Sequence, residues 1–378
     1  LARWEIQLRF RAGMANWKAT NYKDPILSKY KRGYFVEWRL ADRHKKDIFS
    51  QIDYLVDTNQ KDNPKMLTGE AIRAGLKQVV ERPFRVVPYF DQGVWGGQWM
   101  KEVFDLDKES PNFAWSFDGV PEENSLYMRY GHVKVEIPSI NAVFFEPKKL
   151  LGERVYGRFG TEFPIRFDLL DTMGGGNLSL QVHPLTEYIQ ETFGMHYTQD
   201  ESYYMLDCGE DACVYLGVKE DTNKDDMMED LKRSEKGEIP FPDNKYINKF
   251  PAKKHDHFLI PGGTIHCSGK NSMVLEISST PYIFTFKLWD WERLGLDGLP
   301  RPIHLNHGEK VIQWDRDTKW VEENLINKVE VLKEEDGVKV EKTGLHPSEF
   351  IETIRHWFSK PVLHKTHGSV NVLNLVEG

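Results

Sequence analysis

In N-L-S-L-Q-V-H-P (177–184), leucine and valine alternate with serine, glutamine and histidine, and a proline ends the run. Such alternation predicts a β-strand, in which side chains two residues apart leave the same face of the sheet. Gln181 and His183 are therefore expected side by side on one face, with Leu180 and Val182 on the other. A face that carries an imidazole and an amide oxygen is a candidate part of a functional site.

Two other stretches supply residues of the same chemical kind. Glu201, in D-E-S-Y-Y (200–204), opens a strand-like segment, and His266, in I-P-G-G-T-I-H-C (260–267), follows a Pro-Gly-Gly turn. A single histidine on a strand is more often a core or surface residue than a metal ligand. Two imidazoles, a carboxylate and an amide oxygen from adjacent strands, however, suit a divalent ion of zinc type with room left for water or substrate. We therefore predict a metal site formed by Gln181, His183, Glu201 and His266.

The central part of the chain has the pattern of an all-β domain. Short apolar runs alternate with loops that contain glycine, aspartate or proline, which is typical of an antiparallel sandwich or barrel. The polar stretch Asp221–Lys236 predicts a surface helix inserted between strands, because Met227, Met228 and Leu231 have helical spacing. The predicted strands are Ile165–Leu170, Leu178–His183, Ser202–Leu206, Ala212–Val218, His257–Ile260, Met273–Ile277 and Tyr282–Leu288.

The two ends of the chain differ from this centre. Residues 1–80 are charged and mainly helical in pattern, with one strand-like run at Ile52–Val56. Near the other end, two β-prone pieces flank a Glu-Asp-Gly turn, and V-N-V-L-N-L-V-E-G (370–378) reads as an apolar strand. The helices predicted at the start are Trp4–Met14, Ala41–Phe49 and Gly69–Val80, and the late β-prone pieces are Val329–Leu332 and Val338–Val340.

Composition limits the range of partners. The chain of 378 residues has 50 lysines and arginines, 58 aspartates and glutamates, and a net charge of −8. Because charges of both signs are interspersed, nucleic acid and anionic membrane are not expected as main partners. No apolar run approaches the roughly 20 residues that span a bilayer. Three cysteines without zinc-ribbon spacing fit reduced thiols, so we expect a cytoplasmic protein.

The chain resembles the type I phosphomannose isomerases (mannose-6-phosphate isomerases) of the cupin superfamily from about Pro83 to Ile312. Three features carry most of the resemblance: Q-V-H-P at 181–184, an acid 18 residues after His183, and P-G-G-T-x-H at 261–266. Four further segments are also similar: P-Y-F-D-Q-G-V-W-G-G (88–97), L-L-G-E-R-V-Y-G-R-F-G-T-E-F-P (150–164), V-L-E-I (274–277) and F-K-L-W-D-W-E-R (286–293).

The resemblance implies a fold and an activity. The fold would be mainly β, a cupin (jelly-roll-like) barrel with a helical N-terminal segment and helical insertions. Residues 1–80 would form a region of unknown role, 81–312 the isomerase-like domain, and 313–378 the start of a second, truncated cupin-like unit. The activity would be metal-dependent interconversion of mannose 6-phosphate and fructose 6-phosphate, with one Zn²⁺ per chain, or Mn²⁺, Co²⁺ or Ni²⁺ in its place.

The same resemblance assigns the remaining site residues. Lys287 stands near the position of an arginine that the family is considered to use in catalysis, and Ser179 matches a serine near the substrate phosphate. Glu276, in V-L-E-I, is a candidate for proton transfer or for a supporting role, and a purely structural ion pair is an equal alternative. The predicted catalytic residues are Lys287 and Glu276, and the predicted substrate-binding residues are Ser179 and Arg166.

Three basic positions of the family are altered in this chain. Lysine replaces arginine at 287, which keeps the charge and loses the planar fork. Gln199 and Asp168 stand where the family has lysines, and Arg166 lies on the same strand face as Asp168 and could replace the lost cation. The alternative function is therefore a non-catalytic or altered-specificity sugar-binding cupin that keeps the metal site. The sequence does not indicate an oligomeric state.

Overall fold

The computed structural model describes residues 1–296, 298–344 and 346–378, in which helix (28%) and strand (27%) are almost equal. The chain is therefore mixed rather than mainly β, since helices occur between the strands along the chain as well as at its start. A π-helical turn, Gly33–Glu37, joins α2 to α3. The helices are α1 (Arg3–Arg11), α2 (Ile26–Arg32), α3 (Trp38–Ile48), α4 (Gly69–Val79), α5 (Trp99–Val103), α6 (Ile140–Phe145), α7 (Pro147–Leu151), α8 (Glu153–Phe159), α9 (Thr186–Phe193), α10 (Lys224–Glu235), α11 (Asp243–Tyr246), α12 (Leu305–Val311) and α13 (Thr318–Asn324).

The strands are short and pair with antiparallel partners in every pairing that the register defines. They are β1 (Tyr54–Asp57), β2 (Lys65–Thr68), β3 (Tyr89–Asp91), β4 (Trp115–Gly119), β5 (Ser125–Tyr130), β6 (Val133–Pro138), β7 (Ile165–Asp171), β8 (Leu180–Val182), β9 (Asp200–Cys208), β10 (Cys213–Val218), β11 (Ile247–Pro251), β12 (His257–Ile260), β13 (His266–Ser268), β14 (Ser272–Ser279), β15 (Phe286–Trp289), β16 (Glu330–Glu335), β17 (Val338–Gly344) and β18 (Thr353–Phe358).

One compact unit contains Leu1–Tyr89, Phe117–Phe163 and Thr366–Leu373. Two hairpins, β1–β2 and β5–β6, supply apolar side chains to a core that α4 completes with Ile72 and Leu76, both 0% exposed. Thr68 caps the start of α4, because its hydroxyl accepts a hydrogen bond from the backbone N–H of Ala71 (3.2 Å). The strand and the three helices predicted in residues 1–80 are confirmed, with ends shifted by up to three residues.

The second unit contains Phe90–Ser116, Pro164–Lys365 and Asn374–Gly378. It has a five-stranded sheet in the order β11-β10-β13-β8-β15, a six-stranded sheet in the order β12-β9-β14-β7-β4-β3, and a three-stranded sheet, β16-β17-β18. The chain passes from one unit to the other within β3 and β4, and again after Phe163, Lys365 and Leu373. The core of this unit includes the apolar side chains of β8, Leu180 and Val182, which are fully buried.

All seven strands predicted between residues 165 and 288 are present, including the alternation of β8, but the last of them begins at Phe286 rather than at Tyr282. The sheet order could not be read from the sequence: β14 lies between β7 and β9, and β13 lies between β10 and β8. His266 begins β13, a short strand that the sequence did not predict. Within the described residues, the strand pairings do not close either large sheet into a barrel.

The helix predicted at Asp221–Lys236 is confirmed as α10: its apolar residues Met227, Met228 and Leu231 are at most 2% exposed and pack against the core, whereas its polar face is exposed. One expectation is corrected. The last nine residues, predicted as a strand, form neither strand nor helix, and Glu377 pairs with Lys254 and His255 at 3.0 Å. Among the described residues, no helix has the length and apolar character needed to cross a membrane.

Candidate metal centre

The five-stranded sheet places three of the predicted site residues in one row. On β8, Gln181 has His266 of β13 directly opposite on one side and Lys287 of β15 directly opposite on the other. Side chains of directly paired residues leave the same face of a sheet, and His183 follows two residues after Gln181, directly after the end of β8. Residues from three strands therefore share one face, as the alternation of the sequence predicts for Gln181 and His183.

Glu201 reaches the same point from the six-stranded sheet, where it opens the β9 segment that pairs with β12 and β14. Its carboxylate oxygens lie 3.1 Å from His183 Nε2 and 2.9 Å from His266 Nε2. One ligand atom from each of the three residues falls within 4.8 Å of the others, and all three side chains are at most 2% exposed. Two opposed sheets thus bring three metal-ligating groups together in a buried position.

The hydrogen bonds of the two imidazoles determine which ring nitrogen faces the carboxylate. The Nδ1 atoms of His183 and His266 donate to the backbone carbonyls of Phe284 (2.8 Å) and Thr264 (2.9 Å), because a carbonyl can only accept. In the neutral rings the proton is then on Nδ1, and each Nε2 offers a lone pair towards Glu201. This is the arrangement by which histidines bind metals, with the second nitrogen oriented by a backbone acceptor.

The atoms at the centre of the group lack ordinary partners. His183 Nε2 and Glu201 Oε1 are fully buried and make no hydrogen bond of normal geometry. Lone pairs that face a carboxylate at about 3 Å repel one another unless a cation lies between them, and an orphaned buried polar atom is costly. Gln181 Nε2 donates to His266 Nε2 (3.2 Å), and rotating this amide by half a turn would present its oxygen instead. The residues present therefore fit a divalent cation.

Electrostatics at the group favours positive charge. Burial lowers the pKa of His183, but the Glu201 carboxylate raises it by more, so the net shift is upward. Burial raises the pKa of Glu201, yet His183 and His266 outweigh this and the net shift is downward. Protons and a metal ion would compete for these same atoms, so binding of a metal should weaken as the pH falls.

Gln199 links the group to Glu276. Its amide nitrogen donates to Glu201 Oε2 (2.9 Å) and lies 3.4 Å from Glu276 Oε1, and its oxygen accepts from the backbone N–H of Phe284 (3.0 Å). Burial, followed by repulsion from Glu201 and Asp168, raises the pKa of Glu276 well above its ordinary value. A neutral amide thus holds two buried carboxylates side by side.

The structure also positions the other residues that the sequence singled out. Arg166 and Asp168 lie on β7 opposite Ser278 and Glu276 of β14, so all four share one face of the six-stranded sheet. Arg166 is 2% exposed, and its charge acts on the Glu276 carboxyl. Ser179 precedes β8 and is buried.

Two residues near Ser179 and Lys287 were missed by sequence reasoning. Arg301 Nη1 lies 3.4 Å from Ser179 Oγ and 2.7 Å from Asp290 Oδ2. Asp290 gave a usable signal, because an acid between Trp289 and Trp291 at a strand end is expected to be buried and to need a cation. Arg301 gave none, since it lies in a glycine- and proline-bearing loop without periodic pattern.

Comparison with known proteins found one family model and several curated relatives. A family model described as a domain of unknown function (DUF8485) matches residues 1–81. Mannose-6-phosphate isomerase ManA of Bacillus subtilis (strain 168) is 24% identical over 237 residues, 61% of this chain and 68% of the relative. The probable mannose-6-phosphate isomerase GmuF of the same organism is 25% identical over 232 residues, with the same shares covered. The chain is related to the mannose-6-phosphate isomerases.

The fold agrees with that relationship. The crystal structure of the mannose 6-phosphate isomerase from Bacillus subtilis superposes with a TM-score of 0.57 at 20% identity and covers 70% of this chain and 77% of that one. A putative mannosephosphate isomerase from Archaeoglobus fulgidus gives 0.51 at 18% identity. At such identities the likeness shows the fold alone. The resemblance inferred from Q-V-H-P and P-G-G-T-x-H is confirmed, whereas the roles of the individual residues stay predictions.

Proposed function

We propose that this protein is a metal-dependent aldose–ketose isomerase that interconverts mannose 6-phosphate and fructose 6-phosphate. The observation that carries the proposal is the buried group of His183, Glu201 and His266, with both Nε2 atoms facing one carboxylate. The relatives named mannose-6-phosphate isomerase support the choice of reaction. Gln181 would be the fourth ligand, through its amide oxygen.

A divalent ion at this group, Zn²⁺ by the chemistry of its ligands, would act as a Lewis acid on the two sugar oxygens that exchange carbonyl and hydroxyl character. The chain's own residues would do the rest. Glu276, which Gln199 holds beside Glu201, would move the proton between C1 and C2. Lys287, opposite Gln181, would stabilise negative charge on the enediol, an effect worth roughly 3–4 kcal/mol for one well-placed donor.

Further parts of the proposal concern substrate contacts and architecture. Ser179 and Arg166 would contact the substrate, and burial of Arg166 beside Glu276 means that it would act near the reacting carbons. The two large sheets, which meet at Glu201, would be the halves of a cupin-type barrel. We further propose domain boundaries at residues 80 and 312, with a second cupin-like unit that begins after residue 312. We also propose a cytoplasmic location.

A coupled isomerase assay on the zinc-loaded chain tests this function. We expect turnover of mannose 6-phosphate, and a loss of at least about 100-fold in kcat/KM for Gln181→Ala and for His183→Ala, because either change removes charge stabilisation of the transition state. His255→Ala is the matched control: His255 lies outside the group and pairs with Glu377, so its loss should leave turnover within about twofold of wild type.

Two results would contradict the proposal. One is the absence of turnover in folded, metal-replete protein, which would favour the sugar-binding alternative and direct attention to phosphorylated and unphosphorylated sugars as ligands. The other is turnover that survives in His183→Ala, which would show that the buried group is not the centre of the reaction.

A further inference from the structure

One buried polar group beside the candidate metal centre takes no part in the chemistry proposed above. Tyr203 is 0% exposed, and its hydroxyl oxygen makes no hydrogen bond of normal geometry with any described residue. The large majority of buried side-chain polar atoms in proteins do have a partner, because leaving such an atom unpaired is unfavourable. The position of this hydroxyl therefore requires an explanation.

The strand β9 places Tyr203 next to both carboxylates of the site. Tyr203 and Glu201 are two residues apart on β9, so their side chains leave the same face of the six-stranded sheet. Glu276 of β14 pairs directly with Tyr203, and the Cβ atoms of such pairs are about 4.5–5.5 Å apart. The Tyr203 ring also lies edge-on to the His266 ring, with 6.0 Å between the two centroids. Residues of the metal centre thus surround the phenol.

Glu201 has an acceptor available at this point. An ionised carboxylate can accept at about four positions. Gln199 donates to Oε2 (2.9 Å), whereas Oε1 receives no hydrogen bond of normal geometry from the described residues. Oε1 faces the Nε2 atom of His266 (2.9 Å), which in the neutral ring is a second acceptor rather than a donor. The unpaired phenol and the unpaired carboxylate oxygen therefore complement each other.

The phenol is suited to be the donor of this pair. Burial, followed by the negative charges of Glu201 and Glu276, raises the pKa of Tyr203 well above its ordinary value, so the hydroxyl keeps its proton. A contact with the Glu201 carboxylate contributes to the same rise in pKa, although the two groups are not aligned as in an ordinary hydrogen bond. Because a hydroxyl hydrogen rotates about its C–O bond, a small rotation of the carboxylate is sufficient to complete the bond.

We propose that Tyr203 is a positioning residue of the metal centre: its O–H donates to Glu201 Oε1 when a divalent cation is bound. With Gln199 at Oε2, the phenol would fix the plane of the carboxylate, so that its other lone pairs point towards the two imidazoles. Hydrogen bonds to the groups that ligate a metal orient those groups, and their loss typically changes metal affinity by about 10- to 100-fold. The inference rests on the metal site of the function proposed above and does not depend on the reaction.

Competition with a chromophoric chelator measures the affinity of the full chain for Zn²⁺ without relying on turnover. Tyr203→Phe removes one oxygen atom and keeps the ring, so the core stays filled. We expect the Kd for Zn²⁺ to rise by about 10- to 100-fold in this variant.

Tyr204→Phe is the matched control. Tyr204 is the next residue of β9, its side chain leaves the other face of the sheet, and its hydroxyl is 2.9 Å from His255 Nδ1. This variant also loses a hydroxyl that has a hydrogen-bond partner, so its stability should fall. Its Kd for Zn²⁺ should nevertheless stay within about twofold of wild type, because the lost contact is separate from the metal centre.

The visible absorption of the Co²⁺-loaded chain gives a second readout, which a general loss of stability does not change. The spectrum depends on the geometry of the ligands around the ion. If Tyr203 orients Glu201, the absorption bands of Tyr203→Phe should differ from those of wild type in position or intensity. The bands of Tyr204→Phe should superpose on those of wild type.

A double-mutant cycle with Glu276→Gln identifies the acceptor of the hydrogen bond. If the Tyr203 hydroxyl serves Glu201, the effects of Tyr203→Phe and Glu276→Gln on the Kd for Zn²⁺ should multiply. An effect of Tyr203→Phe that vanishes in the Glu276→Gln background would assign the hydroxyl to Glu276 and overturn the inference.

The remaining outcomes separate this inference from the proposed function. Unchanged Zn²⁺ affinity and an unchanged Co²⁺ spectrum in folded Tyr203→Phe overturn the inference even if the chain is an isomerase. Zn²⁺ affinity that depends on the Tyr203 hydroxyl, in a chain that does not isomerise mannose 6-phosphate, supports the inference and overturns the proposed function. A wild-type chain that binds neither Zn²⁺ nor Co²⁺ overturns both.

Discussion

At the scale of single residues, one departure from the pattern that the resemblance implies lies beside Glu201, a predicted metal ligand. Gln199 occupies a position where the resemblance predicts lysine, and it joins Glu201 to Glu276 through a neutral amide. A lysine there would place a positive charge between two buried carboxylates. Because an adjacent cation favours the ionised form of an acid, the residue at 199 should control the protonation of Glu276.

Gln199→Lys tests this control. Burial and the neighbouring acids raise the pKa of Glu276, and a lysine ammonium at 199 would oppose them, so the pKa should fall. If ionised Glu276 is required, the acidic limb of the pH profile of kcat/KM should move to lower pH in the variant. Gln199→Met, of similar length and without charge, should not move the limb downwards. An acidic limb at the same pH in Gln199→Lys and wild type would exclude Glu276 as the titrating group.

At the scale of elements, the turn between β12 and β13 positions His266. Gly263 has φ +87°, its N–H donates to the carbonyl of His183 (2.8 Å), and a Cβ at this residue would lie 2.6 Å from Gln313 Cγ. Glycine is required at position 263 for two reasons: the backbone is in the left-handed region, and the space for a side chain is already filled.

Gly263→Ala should therefore lower the free energy of unfolding by roughly 2–4 kcal/mol, from backbone strain and overpacking together. It should also weaken zinc binding, because His266 follows three residues later. Chemical denaturation and competition with a zinc chelator measure the two effects. Gly194→Ala is the matched control: Gly194 has φ +65°, and no neighbouring atom lies within 4 Å of the place that an alanine methyl group would take, so only the strain of about 1–2 kcal/mol should remain. Equal effects of the two substitutions would contradict the packing part of the argument.

Sequence reasoning predicted this turn and the positions of the strands, but it did not predict contacts between residues that are far apart in the chain. The alternation around Gln181 and the Pro-Gly-Gly turn before His266 are local signals, and both were interpreted correctly. The contact between Arg301 and Ser179 spans 122 residues and depends on how β15 and its following loop return to β8.

At the scale of the whole molecule, the predicted metal would bridge residues from two different sheets. Gln181 and His266 lie in the five-stranded sheet and His183 directly follows its strand β8, whereas Glu201 lies in the six-stranded sheet. Without a cation, a carboxylate faces two imidazole lone pairs in a buried position, which is unfavourable. Binding of the metal should therefore stabilise the folded state as a whole and β8, β9 and β13 in particular.

Removal of the metal with a chelator should lower the melting temperature and increase amide hydrogen exchange in β8, β9 and β13. At a free metal concentration 1,000 times the Kd, the stabilisation lost would be about 4 kcal/mol. His183→Ala should show little further change on chelation, since it lacks the site to begin with. Identical exchange with and without chelator in wild type, at a metal content shown to differ, would contradict a structural role for the ion.

The late strands of the second unit occupy the middle of both large sheets: β14 separates β7 from β9, and β13 separates β8 from β10. On the ribosome, β7 to β10 emerge before the strands that must lie between them. The edges of the earlier strands would stay unpaired until residue 279 has been synthesised. During this period the unpaired strands are most prone to associate with other chains. Metal loading would have to wait as well, since the last of its four ligands, His266, is synthesised only 13 residues before that point. A pause in translation before His266 would thus prolong the period in which the nascent chain is most prone to associate with other chains.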